Sequence, residues 1–165
     1  MKAIYRDLFG PGPTNVPDSV LQALSQPTIG HLDPEFLKIL DEVGRRLRFC
    51  MRTDNALTFV LSAPGSIGME TSFVNLLEPG DKVVICINGV FGGRMRDICE
   101  RIGADVVSIE AEWGTPVDPD ALRDTLEAHG DAVAVAFVHA ETSTGVRSDA
   151  EKLAEIAKAS GCLVI

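Results

Sequence analysis

Three short stretches of this chain carry residue types suited to chemistry. The first, Ser62-Ala63-Pro64-Gly65-Ser66-Ile67-Gly68-Met69-Glu70, follows the apolar run Ala56-Leu57-Thr58-Phe59-Val60-Leu61 and precedes Phe73, Val74, Leu76 and Leu77 at helical spacing. The order reads as strand, glycine turn and helix, with the helix opening near Ser66. The first amides of a helix lack intrahelical partners and sit at the positive end of its dipole, so this turn suits an anion such as a phosphate. Glycine-rich turns also serve plain packing. The second stretch, Asn88-Gly89-Val90-Phe91-Gly92-Gly93, sets an aromatic ring among glycines, where backbone can approach a flat ligand. The third, His139-Ala140-Glu141-Thr142-Ser143-Thr144-Gly145, offers hydroxyls and a histidine directly after an apolar run. Together the three point to a planar, phosphorylated ligand. Phe91 also reads as a core ring and Thr142 as a turn cap.

Such loops need a scaffold that brings them to one edge. Apolar strand candidates fall at residues 56–62, 82–88, 105–110, 132–139 and 162–165, with amphipathic helices between them. Residues 83–87 and 132–138 are apolar on both sides, as strands of a parallel sheet covered on both faces should be. The helix after residue 88 carries Met95, Ile98, Cys99 and Ile102 and stops at Gly103; the next opens at Asp118-Pro119 and stops at Gly130. A capping box, Ser148 with Glu151, opens the last, which stops at Gly161. The expectation is an α/β fold, three-layer αβα with a mostly parallel sheet. In such a fold ligands lie beyond the carboxyl ends of the strands, where the three stretches converge. Ahead of the alternating region, Pro17 starts a short helix with Val20, Leu21 and Leu24 on one side. Asp33-Pro34 opens a longer one whose apolar face includes Phe36, Leu40, Val43 and Leu47. The final run, Gly161-Cys162-Leu163-Val164-Ile165, enters a buried strand and stops, so the expectation is a fragment of a longer polypeptide.

Composition narrows the partners. At 165 residues and 45% hydrophobic, the chain can build one core, and a net charge of -9 argues against a nucleic-acid surface or an anionic membrane as partner. The one basic cluster, Arg45, Arg46, Arg48 and Arg52, alternates with Leu47, Phe49 and Met51 and reads as a solvated helix face or subunit contact. Cys50, Cys86, Cys99 and Cys162 are not closely paired, so neither a disulfide framework nor a zinc site is implied; Cys86 and Cys162 read as core residues. Residues 1–8 hold no apolar signal segment and no run is long enough to span a membrane, so the expected location is cytoplasmic. His139 reads as a strand-closing histidine satisfied locally, His31 as loop and His129 as a helix end. Glu70 and Glu141 read as structural partners of nearby amides or arginines.

At these loops the chain resembles the class V aminotransferases of the fold-type I pyridoxal-phosphate enzymes. The resemblance runs through Gly10-Pro11-Gly12-Pro13-Thr14-Asn15-Val16-Pro17, Gly30-His31-Leu32-Asp33-Pro34-Glu35-Phe36, the turn from Ser62 to Glu70, Glu78-Pro79-Gly80-Asp81, Asn88-Gly89-Val90-Phe91-Gly92 and Val138-His139-Ala140-Glu141-Thr142-Ser143-Thr144-Gly145-Val146. In order and spacing these are most similar to the alanine-glyoxylate and serine-glyoxylate branches. The resemblance implies an incomplete large domain of the aspartate aminotransferase-like fold, with residues 1–33 as arm and leading loop and 34–165 as the N-terminal part of the cofactor domain. It implies pyridoxal 5'-phosphate as cofactor, small amino acids and 2-oxo acids as substrates, and a homodimer. Pro64, Gly65 and Ser66 then hold the phosphate, Phe91 stacks on the pyridine ring, the Thr142 hydroxyl meets the ring oxygen, and Gly12 approaches the substrate from the dimer interface. Pro64 and Ser66 depart from the small or histidine residues commoner there, which leaves the Gly65 amide as the main phosphate contact.

No catalytic residue is identified in these 165 residues. Transamination needs a Schiff-base lysine and an acid for the pyridinium nitrogen. Lys2 is terminal, Lys38, Lys152 and Lys158 lie in helical patterns, and Lys82 begins a strand rather than ending one. The resemblance puts the acid after the strand at residues 163–165 and the lysine later, so this segment alone is expected to be inactive. Within the family a ureidoglycine-glyoxylate aminotransferase is the alternative; a cysteine desulfurase resembles the chain less and places histidine over the ring. From another class, the chain reads as a flavodoxin-like anion-binding module, against which the unfinished last strand argues.

Overall fold

The computed structural model describes residues 6–165, in a first unit ending at Ser62 and a second, Ala63–Ile165. In the first unit, α1 (Asp18–Leu24) follows Pro17, which takes the capping position. The longer α2 (Pro34–Met51) begins as its residues dictate. The Asp33 carboxylate accepts from the Glu35 amide at 2.8 Å, and Pro34, which has no N–H to leave unpaired, fills the first helical position. Glu42 on α2 accepts from Arg45 at 2.7 Å and from Arg46 at 2.6 Å. Half of the expected basic patch is thereby tied to an acidic neighbour on its own helix.

The strand expected at residues 56–62 does not form. Leu57 is 84% exposed and Val60 63%, and no residue of the run enters a ladder among the described residues. A strand exists through hydrogen bonds to a neighbour, and β-branched or aromatic content makes a segment suitable without supplying one.

The second unit is built around a four-stranded parallel sheet, with β1 (Lys82–Ile87), β2 (Asp105–Glu110), β3 (Ala134–Ala136) and β6 (Leu163–Val164) in the order β2-β1-β3-β6. Residue alternation in β1 and β3 sends side chains to two apolar layers. On one face Val83, Ile85, Ala134 and Ala136 pack with Phe73 and Leu77 near the end of α3 (Gly65–Leu76), and with Met95 and Cys99 of α4 (Val90–Arg101). On the other Val84, Cys86 and Val135 pack with Leu122 and Leu126 of α5 (Pro119–Ala128) and Leu153 and Ala157 of α6 (Ala150–Ala159). The three layers and the parallel sheet are those expected. Cys86 and Cys162 lie in the core, and burial pushes the Cys86 thiol up to about 12.

Two local features differ from the expectation. Ser148 does not cap α6: its side chain is buried and its oxygen accepts from the Val117 amide at 3.2 Å, while Asp149 takes the cap and accepts from the Lys152 amide. A capping box also needs its first residue free to turn toward the helix, and Ser148 is committed to the loop before α5. Between β3 and α6 the chain forms a hairpin, β4 (Ala140–Glu141) antiparallel to β5 (Val146–Arg147). Gly145 closes its turn at φ +74°, and its amide donates to the Glu141 carbonyl at 2.8 Å.

Candidate active site

Strand order decides where a ligand site lies. From β1 the chain crosses through α4 to β2 on one side, then returns through α5 to β3 on the other. The carboxyl ends of β1 and β3 therefore flank a topological switch point, where neighbouring loops part and leave a crevice. Residues 88–93 leave the end of β1, and residues 137–145 leave the end of β3.

These two loops are stitched together by side chains. Glu141, fully buried, accepts from the Phe91 amide at 3.1 Å through Oε2. Through Oε1 it accepts from the Ser143 amide at 3.1 Å and the Ser143 hydroxyl at 2.7 Å. The Ser143 oxygen accepts in turn from the Val90 amide at 3.0 Å. Asn88 is also fully buried; its Nδ2 donates to the Thr115 carbonyl at 3.0 Å, and its Oδ1 has no protein partner among the described residues.

The stretch from Ser62 to Glu70 joins through Arg94. Its guanidinium lies 5.3 Å from the centroid of the Phe91 ring and donates to the Ser66 hydroxyl at 2.5 Å. Pro64 precedes α3 without a side-chain cap, so the amides of Gly65 and Ser66 open the helix with no protein acceptor among the described residues. A Cβ on Gly65 would meet nothing within 4 Å, so the space on the side-chain side of Gly65 is open. The resulting donor set consists of two amides, one hydroxyl and one guanidinium. It complements an anion with several acceptor oxygens.

Of the residues expected at the site, Ser66 and Phe91 are thus both touched by Arg94, with Pro64 and Gly65 adjoining Ser66. Thr142 is exposed in the hairpin turn, between Glu141 and Ser143, which fix the loop. Gly12 belongs to the first unit, exposed and with open space at its Cα. The glycines beside Phe91 serve packing more than a ligand. A Cβ on Gly89 would lie 2.4 Å from Glu141 Cγ, and one on Gly92 2.8 Å from the Ile87 Cα; only at Gly93 is the space free.

His139 is exposed, and its carbonyl accepts from the Ser148 amide at 2.9 Å. His129 caps the end of α5, as expected. Glu70 is exposed on α3. Lys82 begins β1 and donates to Asp131 at 2.7 Å at the amino edge of the sheet, away from the carboxyl edge; Asp131 holds its ammonium above the usual lysine range. Lys2 lies outside the described residues. Sequence reasoning missed Arg94, whose only signal was a cation one helical turn after Phe91.

Comparison with known proteins adds a family to this geometry. The profile of the aminotransferase class-V family matches residues 6–165. The chain is 36% identical over 161 residues to an alanine-glyoxylate aminotransferase of Drosophila melanogaster, covering 97% of this chain and 41% of that protein. Among solved structures it is similar to the alanine-glyoxylate aminotransferase from Nostoc sp., at 43% identity and TM-score 0.92, covering 99% of this chain and 43% of the other. It is also similar to the ureidoglycine-glyoxylate aminotransferase from Bacillus subtilis, at 33% identity and TM-score 0.94, over 99% and 42%. The chain spans about two fifths of the length of these relatives.

Proposed function

The chain belongs to the class-V aminotransferases, and we propose that it is the N-terminal part of a pyridoxal-phosphate enzyme that moves an amino group from alanine or serine to glyoxylate or a similar 2-oxo acid. Its layers are those of the fold-type I enzymes. With alanine as donor, alanine and glyoxylate give pyruvate and glycine: the amino group and one hydrogen with its bonding electrons pass to the acceptor, an oxo oxygen is exchanged the other way through water, and no outside oxidant or reductant is needed.

The observation that carries the reading is the convergence of a donor-rich helix start, an aromatic ring and a hydroxyl-bearing turn at the β1/β3 switch point. The residues fit the cofactor. A phosphate monoester needs several donors and open space, which the amides of Gly65 and Ser66, the Ser66 hydroxyl and Arg94 supply. Pro64 stiffens the approach to the helix and competes for none of those donors. Phe91 is assigned to stack on the pyridine ring, and Thr142 to donate its hydroxyl to the ring oxygen. Gly12 and the leading loop are assigned to the substrate side at the dimer interface. When bound, the cofactor supplies the electron sink that makes the amino acid α-proton labile and carries the amino group between substrates. The chain's own residues bind and orient; the lysine and acid that complete the chemistry are assigned to the remainder of a longer polypeptide. We assign residues 1–33 to the arm and leading loop and residues 34–165 to the first part of the large domain, in a cytoplasmic homodimer.

The B. subtilis relative supports a second reading, with ureidoglycine as amino donor. The test is made on the full-length protein. It is expected to be yellow, to lose that colour on borohydride treatment with a mass adduct on one lysine, and to convert glyoxylate to glycine. Comparing alanine, serine and ureidoglycine as donors separates the readings. A colourless protein that takes up no pyridoxal phosphate overturns both.

A further inference from the structure

Glu141 is a fully buried carboxylate that takes part in no salt bridge among the described residues. Burying a charge without a counter-ion is costly unless hydrogen bonds replace its hydration. Three do so here: the Phe91 amide on Oε2, and the Ser143 amide and hydroxyl on Oε1. Two of the three donors belong to the hairpin turn and one to α4, fifty residues away in sequence.

The position of the charge explains why the arrangement holds. Gly89, which precedes α4, has no side chain to cap it, and the first amides of the helix, those of Val90 and Phe91, are satisfied from across the crevice by Ser143 and Glu141. A negative group at a helix N-terminus also meets the positive end of the dipole. Gly89 is required for this approach, since any Cβ there would collide with Glu141 Cγ and Cδ at 2.4 and 2.5 Å. A serine or aspartate at position 89 would cap α4 locally without a buried charge. This long-range cap does something a local one cannot: it fixes the backbone of Phe91 relative to the turn that carries Thr142.

We propose that Glu141 is the positioning residue of this site, clamping the ring platform at Phe91 to the hydroxyl at Thr142, with Gly89 as the notch that admits it. The proposal rests on the pyridoxal-phosphate reading above. It assigns Glu141 no contact with cofactor or substrate.

The test uses the full-length protein and two variants that attack the clamp from opposite sides. Glu141→Gln keeps the shape but turns an NH2 toward one of the donors. Gly89→Ala keeps the charge but displaces the side chain. Hydrogen exchange of peptides covering residues 88–93 and 139–145 is followed without cofactor; pyridoxal-phosphate affinity and the visible circular dichroism of the bound cofactor are then measured. Both variants are expected to speed exchange in both peptides, weaken cofactor binding about tenfold and diminish the dichroic band, as loss of a supporting shell does elsewhere. The double variant should be no worse than the more affected single one, because both changes break the same contact. Wild-type affinity and dichroism alongside faster exchange would reduce Glu141 to a fold cap and overturn the proposal; so would exchange that rises in only one loop. Should neither variant fold, Ser143→Ala, which breaks the link to Val90 and leaves Phe91 bonded to Glu141, is expected to move all readouts the same way by less, and unchanged readouts count against the clamp. Failure of the wild-type protein to bind pyridoxal phosphate overturns the functional reading together with the cofactor part of the proposal, whereas unchanged exchange in the variants overturns the clamp alone.

Discussion

Three glycines surround Phe91, and each stands in a different environment. Gly89 admits a side chain, Gly92 lets α4 lie against the backbone of β1, and Gly93 faces open space. In the sequence they look alike, because glycine records that a Cβ is unwelcome and not what excludes it. The structure separates them and makes a contrast that can be measured. A Cβ at position 92 would meet the Ile87 Cα at 2.8 Å and the Cys86 carbonyl at 3.0 Å. Neither can step aside easily, since Cys86 and Ile87 are held in the ladder with β2, opposite Ile109 and Glu110. Gly92→Ala is therefore expected to destabilise the full-length protein by about 1–3 kcal/mol in urea unfolding, the usual cost of overpacking. Gly93→Ala should instead gain up to about 1 kcal/mol from helix propensity. Equal stability of the two variants would mean that α4 sits farther from β1 than described.

Helices were the most legible elements. The Asp33-Pro34 and Asp118-Pro119 starts are realised with the aspartate accepting from the amide two residues on, because cap and proline act within a single turn. Where legibility failed, a nonlocal partner had intervened. Ser148 matches a capping box, but its hydroxyl serves the loop at Val117. The hairpin at residues 140–147 was hidden because each strand is only two residues long, although Gly145 after a polar run was a signal for its turn. The surface of α2 gives a prediction at this scale. Hydrogen bonds from Arg45, then Arg46, hold the Glu42 carboxyl down from its ordinary 4.5 to about 2. The folded value lies below the unfolded one, so the stabilisation is fully present above about pH 4.5 and drains away as pH falls toward 2. An acid titration of α2 helicity by circular dichroism should contain this component. Glu42→Gln should remove it, and 1 M salt should shrink it, since these groups face solvent. A titration identical in wild type and Glu42→Gln would show that the Arg45 and Arg46 contacts contribute nothing in solution.

For the whole molecule, the core of the second unit and the exposed apolar run of the first illustrate one rule from opposite sides. Strands β1 and β3 were recognisable because apolar residues on both faces imply two covering layers, and the chain supplies both, α3 and α4 on one side and α5 and α6 on the other. Residues 56–61 have equally strand-like composition, but composition says nothing of the partner a ladder needs. Leu57, Phe59 and Val60 are 84%, 59% and 63% exposed, and Phe9 and Phe49 are more than four fifths exposed. Apolar side chains at this exposure, in a run whose backbone joins no ladder among the described residues, favour association through both hydrophobic contact and strand addition. The net charge of -9 opposes this through mutual repulsion, which salt screens. A polypeptide of these 165 residues alone is therefore expected to self-associate in sedimentation velocity at micromolar concentration, more strongly at 0.5 M than at 0.05 M salt. Leu57→Lys with Val60→Lys should reduce both the association and the binding of a hydrophobic dye. Two added lysines also lower the net negative charge, which by itself would promote association, so a drop in self-association identifies the apolar run as its cause. A monomer at both salt concentrations would mean that these side chains find cover within the chain.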